Sequence, residues 1–528
     1  MAGPSLPPHI EALLSPGAYP HRVDGIELRQ THISYVFIAD DLVYKLKKPF
    51  DFGFLDYTTL EKRRHFCEEE VRLNRRLCED TYLGVAPIVS SGGDIKIEAD
   101  GEVLDYAVKM RRLPEERMMS HLIERDAIVP PMLAALAERI AAFHMSSERS
   151  GEIDRFGGLE TVALNWRENF EQIKAYIGRT ITRPQFDDIR AFVENTIEGD
   201  ATLFAGRVEE GRARDCHGDM RTDAVCFEDD CVCIYDCIEF NERFRYSDVA
   251  ADIAFLAMDL EFRGRRDLSD ELLGRYLSYA LDSTLPLLLP FYKCYRAYVR
   301  GKVDGFQLDQ PEVSDEQKAQ VTAEARHYFE LARSYALQPS PHTLIITIGV
   351  SGSGKSYLAN ALAAHIGTVI LSSDVTRKRL LGIDPAERHH EPLDSGIYDP
   401  DVTERTYATL IEEARPWLQQ GKPVILDATF LMRSQRHAAL LLAGQAGARF
   451  LAIECDADEQ TVWERLSERQ GDKRVVSDGR WEIYQTQQER REPVDELPVG
   501  THITVDTARP LQEQIAEVEG HVAALMSS

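Results

Sequence analysis

Residues 344–356 read LIITIGVSGSGKS. The first five, Leu344–Ile348, form a short apolar, β-branched run of the kind that fills a buried parallel strand. The next eight, Gly349-Val350-Ser351-Gly352-Ser353-Gly354-Lys355-Ser356, complete the pattern G-x-x-x-x-G-K-S, and a helix-like stretch, YLANALAAHI, follows at once. Strand, loop and helix in that order are the context the pattern requires. Glycines let backbone N–H groups wrap a phosphate without Cβ clashes, and the helix N-terminus adds the positive end of its dipole. Lys355 is then placed for the β- and γ-phosphates of ATP, and the Ser356 hydroxyl for Mg²⁺.

Downstream, strand-like and helix-like segments alternate. Strands are predicted at Thr368–Leu371, Pro423–Leu426, Arg449–Glu454 and His502–Val505, with helices such as Lys355–His365 and Thr403–Gln420 between them. That rhythm predicts an α/β fold with a parallel sheet. After the second strand come Asp374 and Arg377, spaced D-x-x-R. A carboxylate at a strand's C-terminal end faces the ligand crevice, where it can take the proton of an attacking hydroxyl. Arg377, one turn on, suits a phosphate. The competing reading is an N-cap aspartate with a solvated arginine. Asp427 ends the next strand, as a magnesium-binding carboxylate does. Arg465 and Arg469, with Arg474 and Arg480 beyond, suit a lid over ATP, or else a solvated face. Together these residues resemble the small P-loop kinases that include the polynucleotide 5′-hydroxyl kinase and zeta-toxin groups, over residues 342–528. The resemblance implies that Asp374 activates the acceptor hydroxyl.

Upstream, Ala336–His342 reads ALQPSPH, whose prolines mark a break. We therefore expect domains at 1–335 and 343–528, joined by a linker at 336–342. The first opens with strand-like HISYVFIAD and LVYKLKK, continues into the charged helix TLEKRRHFCEEEVRLNRRL, and becomes largely helical beyond residue 130, apart from the turn-rich segment Asp215–Glu239. This predicts α+β, a small sheet lobe and a helical lobe. Within the turn-rich segment, Cys216-His217-Gly218-Asp219 precedes a short apolar run ending at Asp236. An aspartate on a tight loop followed by a second after a strand is what phosphoryl transfer from Mg·ATP needs: one for the acceptor hydroxyl, one for the metal. The strand Val43–Lys47 offers a lysine to the phosphates, and Glu70 a partner for it.

This region resembles the aminoglycoside-phosphotransferase, kinase-like family. The stretches KKPFDFGFLDYTTLEKRRHFCEEEVRLNRRL and YDCIEFNERFRYSDVAADIAFLAMDLEF resemble a bacterial two-domain family that joins such a domain to a P-loop kinase domain. The resemblance implies Asp219 as catalytic base, Asp236 as metal ligand and Lys45 as the ATP lysine, with Lys47 the competing choice. One position departs from the pattern. The asparagine of H-G-D-x-x-x-x-N is Ala224, which offers no oxygen to a metal, so an inactive, nucleotide-binding pseudokinase is the alternative for this domain.

Composition sets the outer bounds. At about 150 residues per domain, 528 residues make two to four domains. A net charge of −27 disfavours sequence-independent coating of nucleic acid, which needs a basic face. No apolar run reaches membrane-spanning length, and the N-terminus lacks a signal-peptide pattern, so a cytoplasmic protein is expected. Nine cysteines argue against a disulfide framework. Cys216, Cys226, Cys231, Cys233 and Cys237 lack paired C-x₂-C spacing and read as small buried hydrophobes. A zinc site at His389-His390-Glu391 is disfavoured, and Phe291–Arg300 reads as a packed helix rather than a base-stacking surface. The reading is an ATP- and Mg²⁺-dependent phosphotransferase with an unidentified hydroxyl acceptor. The alternatives are a regulatory ATPase carrying a pseudokinase, and a nucleic-acid 5′-hydroxyl kinase.

Overall fold

The computed structural model describes residues 6–53, 55–229, 231–310, 313–387, 395–471 and 480–527. His389, His390, Glu391 and Arg474 lie outside the described residues. The chain packs as two compact units. One comprises Met1–Met132, Ser146–Gly158 and Arg207–Asp252; the other comprises Leu133–Met145, Leu159–Gly206 and Ile253–Ser528.

The first unit is built on a six-stranded antiparallel sheet. Its strands are β1 (Ile26–Gln30), β2 (Ser34–Ala39), β3 (Leu42–Lys47), β4 (Tyr82–Ser91), β5 (Asp94–Ile97) and β6 (Glu102–Arg111), in the spatial order β1-β2-β3-β6-β4-β5. Alternation along β3 sends Tyr44 and Leu46 into the apolar core with Phe37 and Ala107, and puts Lys45 and Lys47 together on the opposite face. The β2–β3 turn needs a left-handed residue, and Asp40 supplies it at φ 53°; its carboxylate accepts from the backbone N–H groups of Asp24 and Gly25. Helix Leu60–Asn74 is capped by Thr59, whose hydroxyl accepts from Lys62 N. It lays Cys67 and Val71 against Tyr82 and Val108 of the sheet. The turn-rich segment carries β7 (Ala213–Asp215), β8 (Val225–Phe227), β9 (Val232–Ile234) and β10 (Tyr246–Asp248), as two small antiparallel pairs, β7–β10 and β8–β9.

Here one expectation is corrected. Cys233 is not a free apolar side chain: it is disulfide-bonded to Cys78, with Cα atoms 4.8 Å apart across a sequence separation of 155. β9 runs beside the chain leaving helix Leu60–Asn74, which brings together two residues that spacing along the chain gives no reason to pair. Cys216, Cys226 and Cys237 are free and buried, as expected of small hydrophobes, and so is Cys67, whereas Cys231 is exposed.

The second unit holds a five-stranded parallel sheet: β11 (Thr343–Ile348), β12 (Val369–Ser372), β13 (Val424–Asp427), β14 (Arg449–Asp456) and β15 (His502–Asp506), in the order β12-β13-β11-β14-β15. Every residue of β11 is buried, because helices cover both faces. Leu344, Ile346 and Ile348 meet helices Pro400–Gln419 and Arg433–Ala446 through Leu410, Ala414, Ala439 and Leu442. On the other face, Ile345 meets helices Lys355–Ile366 and Leu511–Ser527 through Leu358, Leu362, Ile515 and Val518.

Helix Lys355–Ile366 has a second neighbour, helix Arg266–Ala280. Gly274 lies so close to Ala361 that a Cβ there would sit 3.0 Å from it. Around that contact, Tyr357 donates to Glu271, Asn360 Nδ2 donates to Ser278 Oγ at 3.1 Å, and His365 Nδ1 lies 2.9 Å from Asp270 Oδ2. The long helix Leu285–Gln307 is buried on most sides, and Phe291, Tyr295 and Tyr298 pack against Trp166. The segment Phe291–Arg300 is thus a packed helix. Helix Asp315–Ala336 ends where the proline-flanked break begins, and β11 opens at Thr343. Among the described residues, no helix is long and apolar enough to cross a membrane.

Candidate active site

The phosphate loop leaves the C-terminal end of β11 and enters helix Lys355–Ile366. Three of its residues need left-handed backbone: Gly349 at φ 146°, Gly352 at φ 85° and Gly354 at φ 84°. Gly349 is further constrained, because a Cβ would stand 2.6 Å from Ser353 Oγ and 2.8 Å from Cys455 O. Val350 pins the loop from behind by packing against Leu431, Val462, Leu466 and Tyr484. Lys355 is buried and donates to Val350 O at 2.6 Å. Ser353 Oγ is buried without a hydrogen-bond partner among the described residues.

Beside this loop is a cavity of about 1020 Å³. Ser351, Gly352, Gly354, Lys355, Ser356, Asp374, Arg377 and Asp427 all line it. Asp427 closes β13 and is 7% exposed. Burial pushes its carboxyl above the ordinary aspartate range; the Ser356 hydroxyl and the Lys355 ammonium pull it back, and the charge of Asp374 pushes it further up. Thr347 Oγ1 also reaches Asp427 Oδ1, at 3.4 Å. Asp374 stands in the first turn of helix Ser373–Leu380, whose N-cap residue is Ser372, so Asp374 is not the cap. Arg377 is buried rather than solvated. Its Nη1 donates to Ile397 O and to Thr403 Oγ1, both at 3.0 Å, its guanidinium lies 5.0 Å from the centre of the Tyr398 ring, and its Nε has no partner among the described residues.

Arg465, one of the arginines expected over the nucleotide, is engaged elsewhere. Arg465 does not line the cavity; it donates to Thr507 Oγ1 at 3.0 Å and Thr507 O at 2.7 Å, against the back of the loop. Arg469 belongs to helix Glu459–Gly471, and its side chain lies outside the described residues. The cavity wall on that side comes instead from helix Trp481–Arg490, through Ile483, Gln487 and Arg490. Gln487 accepts from Ser351 N at 2.7 Å. No motif marks these residues. The available signal was weak: an amphipathic helix, WEIYQTQQER, whose Ile483, Gln487 and Arg490 fall at helical spacing.

A second constellation lies in the first unit. Lys45 Nζ is 2.9 Å from Glu70 Oε1 and 2.7 Å from Asp236 Oδ1. Lys47 Nζ is 2.8 Å from the other oxygen of Glu70 and also pairs with Glu239, which accepts from Tyr57 OH at 2.7 Å. Charges thus alternate along Asp236–Lys45–Glu70–Lys47–Glu239. Burial pulls the Lys45 ammonium down, but Asp236 and Glu70 outweigh it and hold Lys45 protonated. Lys45 in turn lowers the Asp236 carboxyl to about 2. Asp236 has φ 65°, a conformation rare outside glycine and held here by its surroundings. The H-G-D loop is fixed by Asp252, which accepts from His217 N at 2.9 Å and Gly218 N at 2.8 Å. Asp219 is engaged by Arg221 at 3.0 and 3.3 Å. Ala224 is buried and carries no oxygen on its side chain.

Residues 344–494 match the AAA domain family. Over 493 residues, the chain is 32% identical to uncharacterized proteins of Mycobacterium bovis and Mycobacterium tuberculosis, covering 93% of this chain and 94% of theirs. The chain belongs to their family. The matched residues 344–494 hold the phosphate loop and four of the five strands of the parallel sheet, an α/β P-loop domain. Solved structures similar to parts of it include a gluconokinase from Sinorhizobium meliloti, 27% identical over 35% of this chain and 95% of that one, TM-score 0.26. A choline/ethanolamine kinase family protein from Mesorhizobium loti is 13% identical over 58% of this chain and 92% of that one, TM-score 0.33. A choline kinase from Cryptosporidium parvum is 10% identical over 59% and 88%, TM-score 0.35.

Proposed function

We propose that the chain is an ATP-dependent phosphotransferase whose working site is the P-loop cavity, with a hydroxyl-bearing acceptor. One observation carries this reading: the phosphate loop, Lys355, Ser356, Asp427, Asp374 and Arg377 line a single cavity of about 1020 Å³, large enough for a nucleotide and a second molecule. Loop amides and the Lys355 ammonium hold the phosphates of ATP. Asp374 takes the acceptor's hydroxyl proton as that oxygen attacks, and Arg377 faces the charge that builds on the transferring group. The oxygens around Asp427 suit a hard cation: a buried carboxylate beside the Ser356 hydroxyl, with the Thr347 hydroxyl 3.4 Å from the same carboxylate. Mg²⁺ held there would neutralise phosphate charge. The module boundary belongs to the same proposal: 1–335 and 343–528, joined at 336–342.

For the N-terminal site we assign Lys45, rather than Lys47, to the nucleotide phosphates. Lys45 alone of the two reaches Asp236, the proposed metal ligand, while Lys47 is 1% exposed and spent on Glu70 and Glu239. A specific observation favours a second reading here. Ala224 supplies no metal ligand and Arg221 occupies the Asp219 carboxylate, so this site binds nucleotide without transferring phosphate.

The test is transfer from γ-labelled ATP across a panel of hydroxyl-bearing metabolites and an oligonucleotide. Labelled product that disappears with Asp374→Asn and persists with Asp219→Asn supports both assignments. Release of free phosphate only, whatever acceptor is supplied, would favour the regulatory ATPase instead.

A further inference from the structure

We propose that Gln487 is a positioning residue that occupies the phosphate loop in place of a phosphate oxygen, so that nucleotide entry requires its release; this rests on nucleotide binding at the P-loop as proposed above. Helix Trp481–Arg490 touches the loop twice. Tyr484 packs against Val350, Leu431 and Leu466. One turn further on, Gln487 presents its amide oxygen to Ser351 N at 2.7 Å. Spacing of three along a helix puts both side chains on one face, so docking through Tyr484 delivers Gln487 to the loop. Gln487 and Ser351 both line the cavity that holds Lys355, Asp374 and Asp427.

The chemistry follows from what the loop offers. Its backbone N–H groups are donors built to face an anion. In the structure, one of them is satisfied by a neutral amide oxygen of the right reach. Lys355, donating to Val350 O, is likewise turned onto the loop. A charged phosphate oxygen makes a hydrogen bond roughly twice as strong as an amide oxygen does, so it displaces Gln487. Yet Gln487 must still be broken away, and its single net hydrogen bond, about 0.5–1.5 kcal/mol, sets the handicap at roughly two- to tenfold in affinity. The same exchange links loading of the cavity to the seating of helix Trp481–Arg490, which forms one wall of it.

The experiment measures the dissociation constant of Mg·AMPPNP by calorimetry on the full chain, with the Lys355→Ala chain titrated separately as the blank that isolates heat from the P-loop. Gln487→Ala removes the competitor and is expected to bind about two- to tenfold more tightly than wild type. Gln487→Glu leaves a carboxylate on the same amide and sets it against the phosphates, so binding weakens by about tenfold or more. Both replacements are good helix formers, so the helix itself is preserved. Opposite signs for the two variants are what mere loss of packing does not produce. Equal or weaker binding by Gln487→Ala would overturn the inference. Absence of Lys355-dependent binding in wild type would instead overturn the proposed function beneath it.

Discussion

Asp374 and Asp427 stand at the ends of neighbouring strands, line one cavity, and are assigned opposite tasks. As the proposed proton acceptor, Asp374 affects transfer and not nucleotide affinity. Asp374→Asn is expected to lower phosphoryl transfer about 10²–10⁴-fold while the Mg·AMPPNP dissociation constant stays near wild type, checked by label transfer and calorimetry on the same preparation. Asp427 is different, because burial raises its carboxyl pKa in the folded chain. An acid whose folded pKa is raised contributes stability below its unfolded value and loses it as pH rises through the folded value. Without nucleotide and metal, the wild-type melting temperature should therefore fall across that interval in part because of Asp427. Asp427→Asn should flatten the fall, which a melting series from pH 4 to pH 8 reads directly. Lys47 provides the third case. With 1% exposure and two carboxylate partners, Lys47→Met is expected to cost about 3–5 kcal/mol in urea unfolding, because it leaves buried charge unpaired. At this scale the sequence was readable where a residue type is forced by local backbone or by chemistry. Gly349, Gly352, Gly354 and Lys355 belong to that class. Gln487 does not: nothing in a single glutamine on a polar helix announces the loop amide it meets. The choice between Lys45 and Lys47 was equally closed to alternation, since both point to one face of β3; the ground for proposing Lys45 is a contact made through the fold, its ion pair with Asp236.

Among elements, the five parallel strands and the helices between them appear where periodicity places them, because each carries its own buried run and its own flanking turn. Arg465 shows the limit of that kind of reading. It sits on a helix at the expected place, but its guanidinium is claimed by Thr507 on the loop after β15, a contact made by a segment about 40 residues away in the chain. Cys78 and Cys233 show the limit more strongly, because a pairing over 155 residues leaves no local trace. Their bond ties β9 to the turn that follows helix Leu60–Asn74, and so ties the segment bearing Asp236 to the helix bearing Glu70. Cys78→Ser with Cys233→Ser is expected to lower stability by about 2–4 kcal/mol, measured as the shift in unfolding midpoint between the variant and the oxidised wild type. Reductant should produce a shift of the same sign in wild type and none in the double variant.

At the scale of the whole chain, packing joins what chain order separates. The segments Leu133–Met145, Leu159–Gly206 and Ile253–Ser528 make up the compact unit that holds the parallel sheet, and the helix that begins with Lys355 is gripped by helix Arg266–Ala280. A fragment starting at residue 343 would expose Ala361, Tyr357 and His365 to water. It is therefore expected to melt at lower temperature than the full chain and to associate in solution, as scanning calorimetry and sedimentation would show. Gly274→Val forces a branched side chain onto Ala361 and should cost about 1–3 kcal/mol in the intact chain. The covalent ring closed by Cys78 and Cys233 has its own consequence for anyone handling the molecule. A protease that nicks the backbone anywhere between those two positions releases nothing: the pieces travel as one band until a thiol reagent is added, and only then part.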